Sequence, residues 1–465
     1  MKIKSILLSL FAAGAIVAQA DEPKYIFYFI GDGMGMGPSV AAEMYNRQVL
    51  QSPMPITMYR FPVVSQALTY SASSPVTDSA AAGTALSTGH KTRNGMLGMD
   101  PDTIPVTSMA KVLQADGYGI GVVTSVAPDD ATPGAFYAHV PNRSMYYQIG
   151  VQAAESGYQF LAGAGLRGEK DKDGNPTDLL RIMEKNNVRV VRGAAALDSV
   201  SAEKIFLLNN PGTDAGDIGY TIDSIPGVLT LPVITQACLD HLRKVSPDRF
   251  FMMVEGGNID HALHGNDGGA AIKEVLNFNE ALEIAYNFYK RHPKETLIVV
   301  TADHDTGGMT IGNPFLGYDA RLQYIDHQKV SKERFSEFCK SILRSRRTFT
   351  WDDMREYLAG NFGFWNAIPL TDAQTQSLKD KFDATFELRN SADQKTLYAN
   401  FNAFAVEVYK VFNDAAGIGF VATSHTGNPV PVMAVGVDAH RFSKLNNNID
   451  IPGTILAIAG KSLPQ

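Results

Sequence analysis

The residues from Phe250 to His264 read FFMMVEGGNIDHALH, and they join a buried strand to a cluster of chemically active side chains. The first five are apolar without interruption, a pattern typical of a strand that is covered on both faces. Two carboxylates and two imidazoles follow directly: Glu255, Asp260, His261 and His264. Charged groups at the end of a buried strand are costly unless something pairs with them. A metal ion would pair with this mixture of ligands, and a hydrogen-bonded polar loop is the alternative.

Other apolar runs end in the same way, and together they predict the fold. They are Tyr25–Ile30 before Asp32, Gly119–Thr124 before Asp130 and Thr132, and Leu297–Thr301 before Asp303 and His304, with Pro431–Gly436 as a further candidate strand. Helical patterns at Val106–Ala115 and Ala270–Arg291 lie between them. Strands that alternate with helices predict an α/β fold, a three-layer sandwich with a central, mostly parallel sheet and helices on both faces. Because such sheets bind ligands beyond the carboxyl ends of their strands, we expect these polar residues to converge.

Composition limits the class of protein. The chain has 465 residues, is 45% hydrophobic and carries a formal net charge of −7, which is typical of a globular protein with a large core. An acidic balance argues against non-specific binding to a nucleic-acid scaffold, which needs a basic surface.

The N-terminus has the pattern of a signal peptide over residues 1–20. Lys2 and Lys4 precede an apolar run from Ile6 to Val17, and Ala18-Gln19-Ala20 is a cleavage motif, so the mature chain would begin near Asp21. A transmembrane anchor is the alternative, but the run is short for a span. The pattern predicts a periplasmic or secreted protein, with residues 21–465 forming one functional domain.

The two cysteines, Cys238 and Cys339, could pair in an oxidising compartment or could be small buried hydrophobes, and the sequence leaves both possibilities open. No CxxC or zinc-ribbon spacing is present. Any zinc would therefore be held by histidine and carboxylate side chains.

Residues 328–415 differ from the rest and predict a mostly helical insertion. Helical spacing is present at Lys332–Arg344 and Asn402–Phe412, and a capping-box pattern begins at Thr371. The segment carries no evident catalytic cluster. Whether it covers a site or extends a homodimer interface is left open by the sequence.

Ser79, within the sequence TDSAAAGTA that starts at Thr77, is the candidate nucleophile. A serine at a helix start is suited to an anion, although Asp78 or Ser79 could simply cap that helix. No G-x-S-x-G motif surrounds Ser79, so a hydrolase triad is unsupported and activation by a metal is the alternative.

The remaining candidates are individually weak. The glycine-rich run Gly31–Gly37 fails the dinucleotide spacing, and Asp32 within it would repel a pyrophosphate, so Asp32 makes better sense facing a cation. His425 is a further possible ligand, next to the last strand. Thr132 offers a hydroxyl ligand, and Arg143 offers a fork for phosphate, although a surface arginine is the ordinary interpretation.

Together these residues resemble the alkaline phosphatase family. The resemblance extends from about Lys24 to Gly436 and is poorest in the helical insertion. Its motifs stand in the family's order and read IGDGM, TDSAAAGTA, DATP with AHVPNR, EGGNIDHALH, TADH and SHTG. Each motif is weak alone, but the combination is highly specific.

The resemblance implies a site for two zinc ions and one magnesium ion. The implied ligands are Asp32, Asp303 and His304 for one zinc, Asp260, His264 and His425 for the other, and Asp32, Thr132 and Glu255 for magnesium. Asp130 would lie near magnesium-bound water, and whether it ligates the ion directly is left open.

The same resemblance implies the activity, which is hydrolysis of small phosphate monoesters through a phosphoserine intermediate. Ser79 would be the nucleophile, Arg143 the phosphate clamp, and His261 a residue that faces the phosphate. Some family members have lysine at the position of His261, so a pairing of Asp130 with lysine is in doubt here.

Two other classes of function compete with this interpretation. The first is a related metallo-hydrolase: a sulfatase lacks support because Ser79 is not followed by the x-P-x-R motif, whereas a phosphodiesterase could use the same two metals. The second is a secreted protein that binds phosphate or metal without turnover.

Overall fold

The structure is a computed structural model that describes residues 22–345, 348–444 and 446–464. The expected signal peptide at residues 1–20 and the cleavage near Asp21 lie outside the described residues.

The apolar runs form the centre of a nine-stranded sheet. The strands in chain order are β1 Tyr25–Ile30, β2 Val63–Ala67, β3 Gly119–Thr124, β4 Phe160–Gly163, β5 Val188–Arg192, β6 Lys204–Leu208, β7 Phe250–Glu255, β8 Thr296–Thr301, β9 Asp305–Thr306, β10 Thr310–Ile311, β11 Gln394–Lys395, β12 Asn400–Phe401, β13 Ile418–Gly419, β14 His425–Thr426 and β15 Val430–Gly436. The sheet order is β2-β15-β8-β1-β7-β3-β4-β6-β5, and the six short strands form separate pairs.

The pairing of the central strands sets where polar side chains emerge. β1 is parallel to both β7 and β8, and Ile30 at its end pairs with Glu255 and Thr301. Thr124 at the end of β3 also pairs with Glu255. Four neighbouring strands therefore end at one level. β15 runs antiparallel to both of its neighbours, whereas the other strand pairs of the nine-stranded sheet are parallel. The expected mostly parallel sheet is therefore confirmed.

Helices cover both faces of this sheet. They are α1 Met36–Gln48, α2 Ser79–Thr88, α3 Met109–Ala115, α4 Ala131–Gly134, α5 Tyr146–Glu155, α6 Leu179–Lys185, α7 Leu231–Val245, α8 Asn258–His264, α9 Gly268–Arg291, α10 Lys332–Arg344, α11 Trp351–Phe362, α12 Asp372–Phe382, α13 Ala403–Ala416 and α14 Asp450–Ile458. Every residue of β3, β7 and β8 is buried. Because alternate side chains of a strand point to opposite faces, both faces must be covered.

The helices α10 to α13 gather around a second apolar core, separate from the core of the sheet. Phe335, Phe362, Phe382 and Phe404 are buried at its centre. Thr371 caps α12 by a reciprocal capping box, as its sequence predicts. Cys339 is buried in this second core, whereas Cys238 is buried in the main core, and both are free thiols. None of the helices in the described ranges has an apolar stretch long enough to cross a bilayer.

A buried carboxyl in α9 makes the stability of the fold depend on pH. Glu274 accepts hydrogen bonds from the backbone N–H of Thr221, at 2.7 Å, and from the Thr221 hydroxyl. Burial, assisted by the charge of Asp217, raises the pKa of Glu274 to about 7. The folded chain then binds more protons than the unfolded chain between pH 4.5, its ordinary pKa, and about pH 7, so this group's contribution to stability falls as pH rises through that window.

We therefore expect Glu274→Gln, which keeps both acceptor contacts without the charge, to stabilise the protein at pH 8 more than at pH 5. The expected difference between the two pH values is about 1–3 kcal/mol in the free energy of unfolding. Thermal unfolding of variant and wild type at both pH values measures it. If Glu274→Gln changed the free energy of unfolding equally at pH 5 and pH 8, the raised pKa of Glu274 would be contradicted.

Candidate active site

The candidate residues converge at the carboxyl ends of β8, β1, β7 and β3. Asp32 follows β1, Asp303 and His304 follow β8, and Glu255 is the last residue of β7. The helix α8 comes next after β7 and carries Asp260, His261 and His264, while Asp130 and Thr132 lie at the start of α4. His425 reaches the same place from β14, which pairs with β9.

Asp32, Asp303 and His304 form a first group around one imidazole nitrogen. His304 Nε2 lies 3.4 Å from Asp32 Oδ1 and 3.2 Å from Asp303 Oδ2. The Ser79 hydroxyl lies 3.1 Å from the same nitrogen. The candidate nucleophile therefore lies within hydrogen-bonding distance of a residue of a candidate metal centre.

Asp260, His264 and His425 form a second group beside the first. His264 Nε2 lies 3.4 Å from Asp260 Oδ2 and 3.1 Å from His425 Nε2. The ring of His425 also stacks on that of His304, with 3.6 Å between the ring centroids. Asp260, His304 and His425 can direct three ligand atoms at one ion.

The hydrogen bonds on the far side of the imidazoles show that a cation fits here. His264 Nδ1 contacts the Thr423 carbonyl at 2.7 Å, and His425 Nδ1 contacts the Thr77 carbonyl at 2.8 Å. Since a carbonyl only accepts, each Nδ1 carries a proton, and in the neutral ring each Nε2 then presents a lone pair. Two lone pairs 3.1 Å apart repel each other, and a cation between them removes that repulsion.

His304 is held in the same tautomer by Thr306. The Thr306 hydroxyl donates to Asp260 and therefore accepts from His304 Nδ1, at 3.2 Å. The lone pair of His304 Nε2 then faces the carboxylates of Asp32 and Asp303. Only a positive charge relieves that arrangement while leaving the imidazole neutral.

Some buried oxygens of this group of residues have no hydrogen-bond partner within the described ranges, as is expected of cation ligands. They include Asp32 Oδ1, Thr132 Oγ1, Asp260 Oδ2 and Asp303 Oδ2. Glu255, which pairs with Ile30 at the end of β1, accepts from the Thr124 hydroxyl. Oxygen ligands from Asp32, Thr132 and Glu255 are the hard donors that suit magnesium, whereas the imidazole groups suit zinc.

Burial shifts the pKa values of these ligands. It raises the pKa of Asp32 well above its ordinary value, and the charges of Asp303, Asp260 and Glu255 add to the effect. Burial also raises the pKa of Glu255 to about 8 and lowers that of His425 to about 4. Asp32 and Glu255 are thus costly to ionise unless cations bind, whereas the neighbouring imidazoles hold the pKa values of Asp260 and Asp303 below their ordinary value despite burial. His425 remains neutral as a candidate ligand.

Ser79 begins α2, and a neighbour rather than Ser79 itself caps that helix. The Asp78 side chain accepts from Ala81 N at 3.0 Å and from Gly95 N at 3.0 Å. The Ser79 side chain is consequently not used by the cap and is directed at His304. A hydroxyl here lies at the positive end of the helix, which favours an anion such as phosphate.

Two arginines hold the carboxylate of Asp130 from opposite sides. Arg143 Nη2 donates to Asp130 Oδ1 at 3.1 Å, and Arg167 Nη2 lies 3.4 Å from Asp130 Oδ2. Arg143 also lies 3.5 Å from Asp78, the residue before Ser79. This contact brings the guanidinium toward the start of α2, where the candidate nucleophile lies.

His261 contacts two residues without sequence motifs, Asp217 and Tyr398. Its Nδ1 lies 3.8 Å from Asp217 Oδ2. Its ring packs on Tyr398, which comes from the helical insertion, at 4.0 Å between centroids. Arg167, Asp217 and Tyr398 carry no signal in the sequence, because each is an ordinary residue type outside the main helices and strands and its surroundings depend on distant contacts.

Comparison with known proteins agrees with this geometry. A sequence profile described as alkaline phosphatase matches residues 23–160 and 159–461. The chain belongs to the alkaline phosphatase family. The named relatives are alkaline phosphatases, that is, hydrolases of phosphoric monoesters in a family that depends on metal ions.

Individual relatives match along nearly the whole chain. Alkaline phosphatase 4 of Bacillus subtilis is 28% identical over 447 residues, which cover 94% of this chain and 89% of that protein. The solved structure of the cold-active alkaline phosphatase from the psychrophile Shewanella sp. is 26% identical with a TM-score of 0.78, covering 95% of this chain and all of that one. The alkaline phosphatase of Thermus thermophilus is 26% identical with a TM-score of 0.76, covering 99% and 97%.

Proposed function

We propose that this protein hydrolyses small phosphate monoesters through a phosphoserine intermediate on Ser79. The observation that carries the proposal is the 3.1 Å contact between Ser79 Oγ and His304 Nε2, inside a cluster of cation ligands. A buried serine hydroxyl beside cation ligands is placed where a metal can activate it as a nucleophile.

We further propose that the cluster holds two zinc ions and one magnesium ion. Asp32, Asp303 and His304 would hold one zinc and Asp260, His264 and His425 the other, while Asp32, Thr132 and Glu255 would hold magnesium. When bound, the zinc ions stabilise negative charge on the attacking and leaving oxygens of an in-line displacement. Both carboxylate oxygens of Asp130 already contact donors, which favours a role for Asp130 through water.

The side chains of the site then divide the work. Ser79 attacks phosphorus as an alkoxide, the ester oxygen leaves, and the phosphoryl group remains on Ser79. Water attacks the phosphoserine, Ser79 Oγ leaves, and inorganic phosphate is released. Arg143 spreads negative charge from the non-bridging oxygens by a two-pronged contact. His261, held by Asp217 and Tyr398, would face the phosphate.

Turnover measured with metal analysis tests this proposal. We expect p-nitrophenyl phosphate to be hydrolysed by protein that contains zinc and magnesium, and bis-p-nitrophenyl phosphate to be hydrolysed at least about 100-fold more slowly, the scale of a few kcal/mol in transition-state binding. Faster turnover of the diester would replace the proposed activity with that of a phosphodiesterase. Stoichiometric phosphate binding without turnover would identify a binding protein instead.

Export and domain organisation belong to the same proposal. Cleavage after residue 20 would release a mature chain that acts in the periplasm or outside the cell, where phosphate esters are met as free solutes. Residues 21–465 would act as one domain, with 328–415 as an insertion that has its own apolar core.

A further inference from the structure

A two-stranded hairpin of the insertion extends to the candidate active site. β11 and β12 pair antiparallel, and the turn between them is closed by a hydrogen bond from Thr396 N to Ala399 O at 2.9 Å. Leu397 and Tyr398 are the two residues at the tip. Leu397 is 60% exposed, whereas Tyr398 is half-buried. The two tip side chains thus have different surroundings in the same turn.

The base of this hairpin is fixed to the helix that carries the metal ligands. Phe401 is buried and packs over the Nζ of Lys332, at 4.8 Å from the ring centroid. Lys332 Nζ in turn donates to the Gly265 carbonyl, at 2.7 Å, directly after α8. The backbone N–H of Asn402 donates to the Ser336 hydroxyl at 2.8 Å. The hairpin is therefore held in place relative to α8 and cannot swing freely.

The ring of Tyr398 lies on two histidines of the site. Its centroid is 4.0 Å from that of His261 in a tilted contact and 5.2 Å from that of His264 in an edge contact. One face and one edge of the phenol are thus covered by protein. The Tyr398 hydroxyl makes no hydrogen bond with any residue in the described ranges.

The charges that act on the Tyr398 hydroxyl are those of the phosphate site. Desolvation raises the pKa of Tyr398 well above its ordinary value, Arg143 opposes the shift, and Asp260, Asp32 and Asp130 add to it. A tyrosine hydroxyl can donate a hydrogen bond. An oxyanion that is held by Arg143 is an acceptor of matching chemistry for it.

We propose that Tyr398 contacts the substrate, its hydroxyl donating a hydrogen bond to a non-bridging oxygen of the bound phosphoryl group beside Arg143. The proposal rests on the proposed phosphomonoesterase function. It also gives the helical insertion a role, which is to place beside the bound phosphate a hydrogen-bond donor that does not come from the sheet. Because one face of the ring is already covered by His261, the hydroxyl is the part of Tyr398 that is left for a ligand.

Three variants of the hairpin tip test the proposal in the metal-loaded full-length protein. Tyr398→Phe removes only the hydroxyl, Tyr398→Ala removes the ring as well, and Leu397→Ala is the matched control in the same turn. Calorimetric titration with inorganic phosphate measures binding, and zinc and magnesium contents are measured on the same samples. Steady-state turnover of p-nitrophenyl phosphate supplies kcat and KM.

We expect Tyr398→Phe to bind inorganic phosphate about tenfold more weakly, since a hydrogen bond to a charged group is lost, with unchanged metal content. kcat/KM should fall by a similar factor. Leu397→Ala should match the wild type in all three measurements.

Other results would overturn the proposal. If Tyr398→Phe binds phosphate as the wild type does while Tyr398→Ala is impaired, the ring only supports the histidines. If Tyr398→Phe loses zinc, the residue acts on the metal ligands rather than on phosphate. Absence of monoester turnover in the wild type would instead count against the proposed function, so the two failures are distinguishable.

Discussion

Ser79→Ala is expected to lower kcat for p-nitrophenyl phosphate by on the order of 1,000-fold or more, because the attacking oxygen is removed. Some residual hydrolysis should persist, since the bound cations and Arg143 can still assist direct attack by water. The metal content should stay at the wild-type level because, among the described residues, the one hydrogen bond of the Ser79 hydroxyl is with His304, which Thr306 also holds. Steady-state kinetics and metal analysis of the same preparation measure both quantities.

A serine on the same helix provides the control. The Ser87 hydroxyl donates to the Ala135 carbonyl at 2.8 Å, away from the cation ligands. Ser87→Ala should therefore keep turnover within a fewfold of the wild type. Peptide mass spectrometry after acid quenching should find phosphate on the Ser79 peptide of the wild type and of Ser87→Ala, but not on the corresponding peptide of Ser79→Ala. Turnover of Ser79→Ala within tenfold of the wild type would disprove the assignment of the nucleophile.

Removing the metals with EDTA is expected to abolish turnover and to destabilise the fold at the same time. Without cations, the lone pairs of His264 and His425 face each other, and the carboxylates of Asp32 and Asp303 face His304. A ligand that is present at roughly 1,000 times its Kd stabilises the folded protein by about 4 kcal/mol, and this contribution is lost when the metal is removed. Thermal unfolding with and without EDTA measures the loss, and zinc added with magnesium should restore both activity and stability.

Single histidine variants separate this effect from general damage. His425→Ala should lose zinc because it deletes an imidazole of the second ligand group. His440→Ala, at an exposed position in a short helix, should keep the full metal content. Full activity in a preparation shown to be free of metal would refute the metal centre altogether.

The sequence predicts the sheet and the ligand positions for the same physical reason. Short, uninterrupted apolar runs are typical of strands that are covered on both faces, and costly polar residues directly after them need a partner. Asp32, Glu255 and Asp303 satisfy both conditions, and the structure brings all three to one edge of the sheet. The local sequence pattern alone therefore predicts the sheet and the positions of these three side chains at its edge.

Strand direction and contacts between distant parts of the chain are not predicted by the local sequence pattern. An apolar run such as Val430–Gly436 carries no mark of its direction, yet it runs antiparallel to its neighbours. Arg167 and Tyr398 reach the site only because a loop after β4 and a hairpin of the insertion are held there by other residues. Neither position carries a local pattern, since its surroundings are set by tertiary structure alone.

The late position of His425 links the chemistry to completion of the chain. The candidate ligands begin at Asp32, near the start of the sheet, and end with His425, which is placed by the pairing of β14 with β9. A polypeptide released from the ribosome before residue 425 would contain the candidate nucleophile and the candidate carboxylate ligands but not the last imidazole. Only a chain that extends past His425 and folds can therefore assemble the second group of candidate ligands.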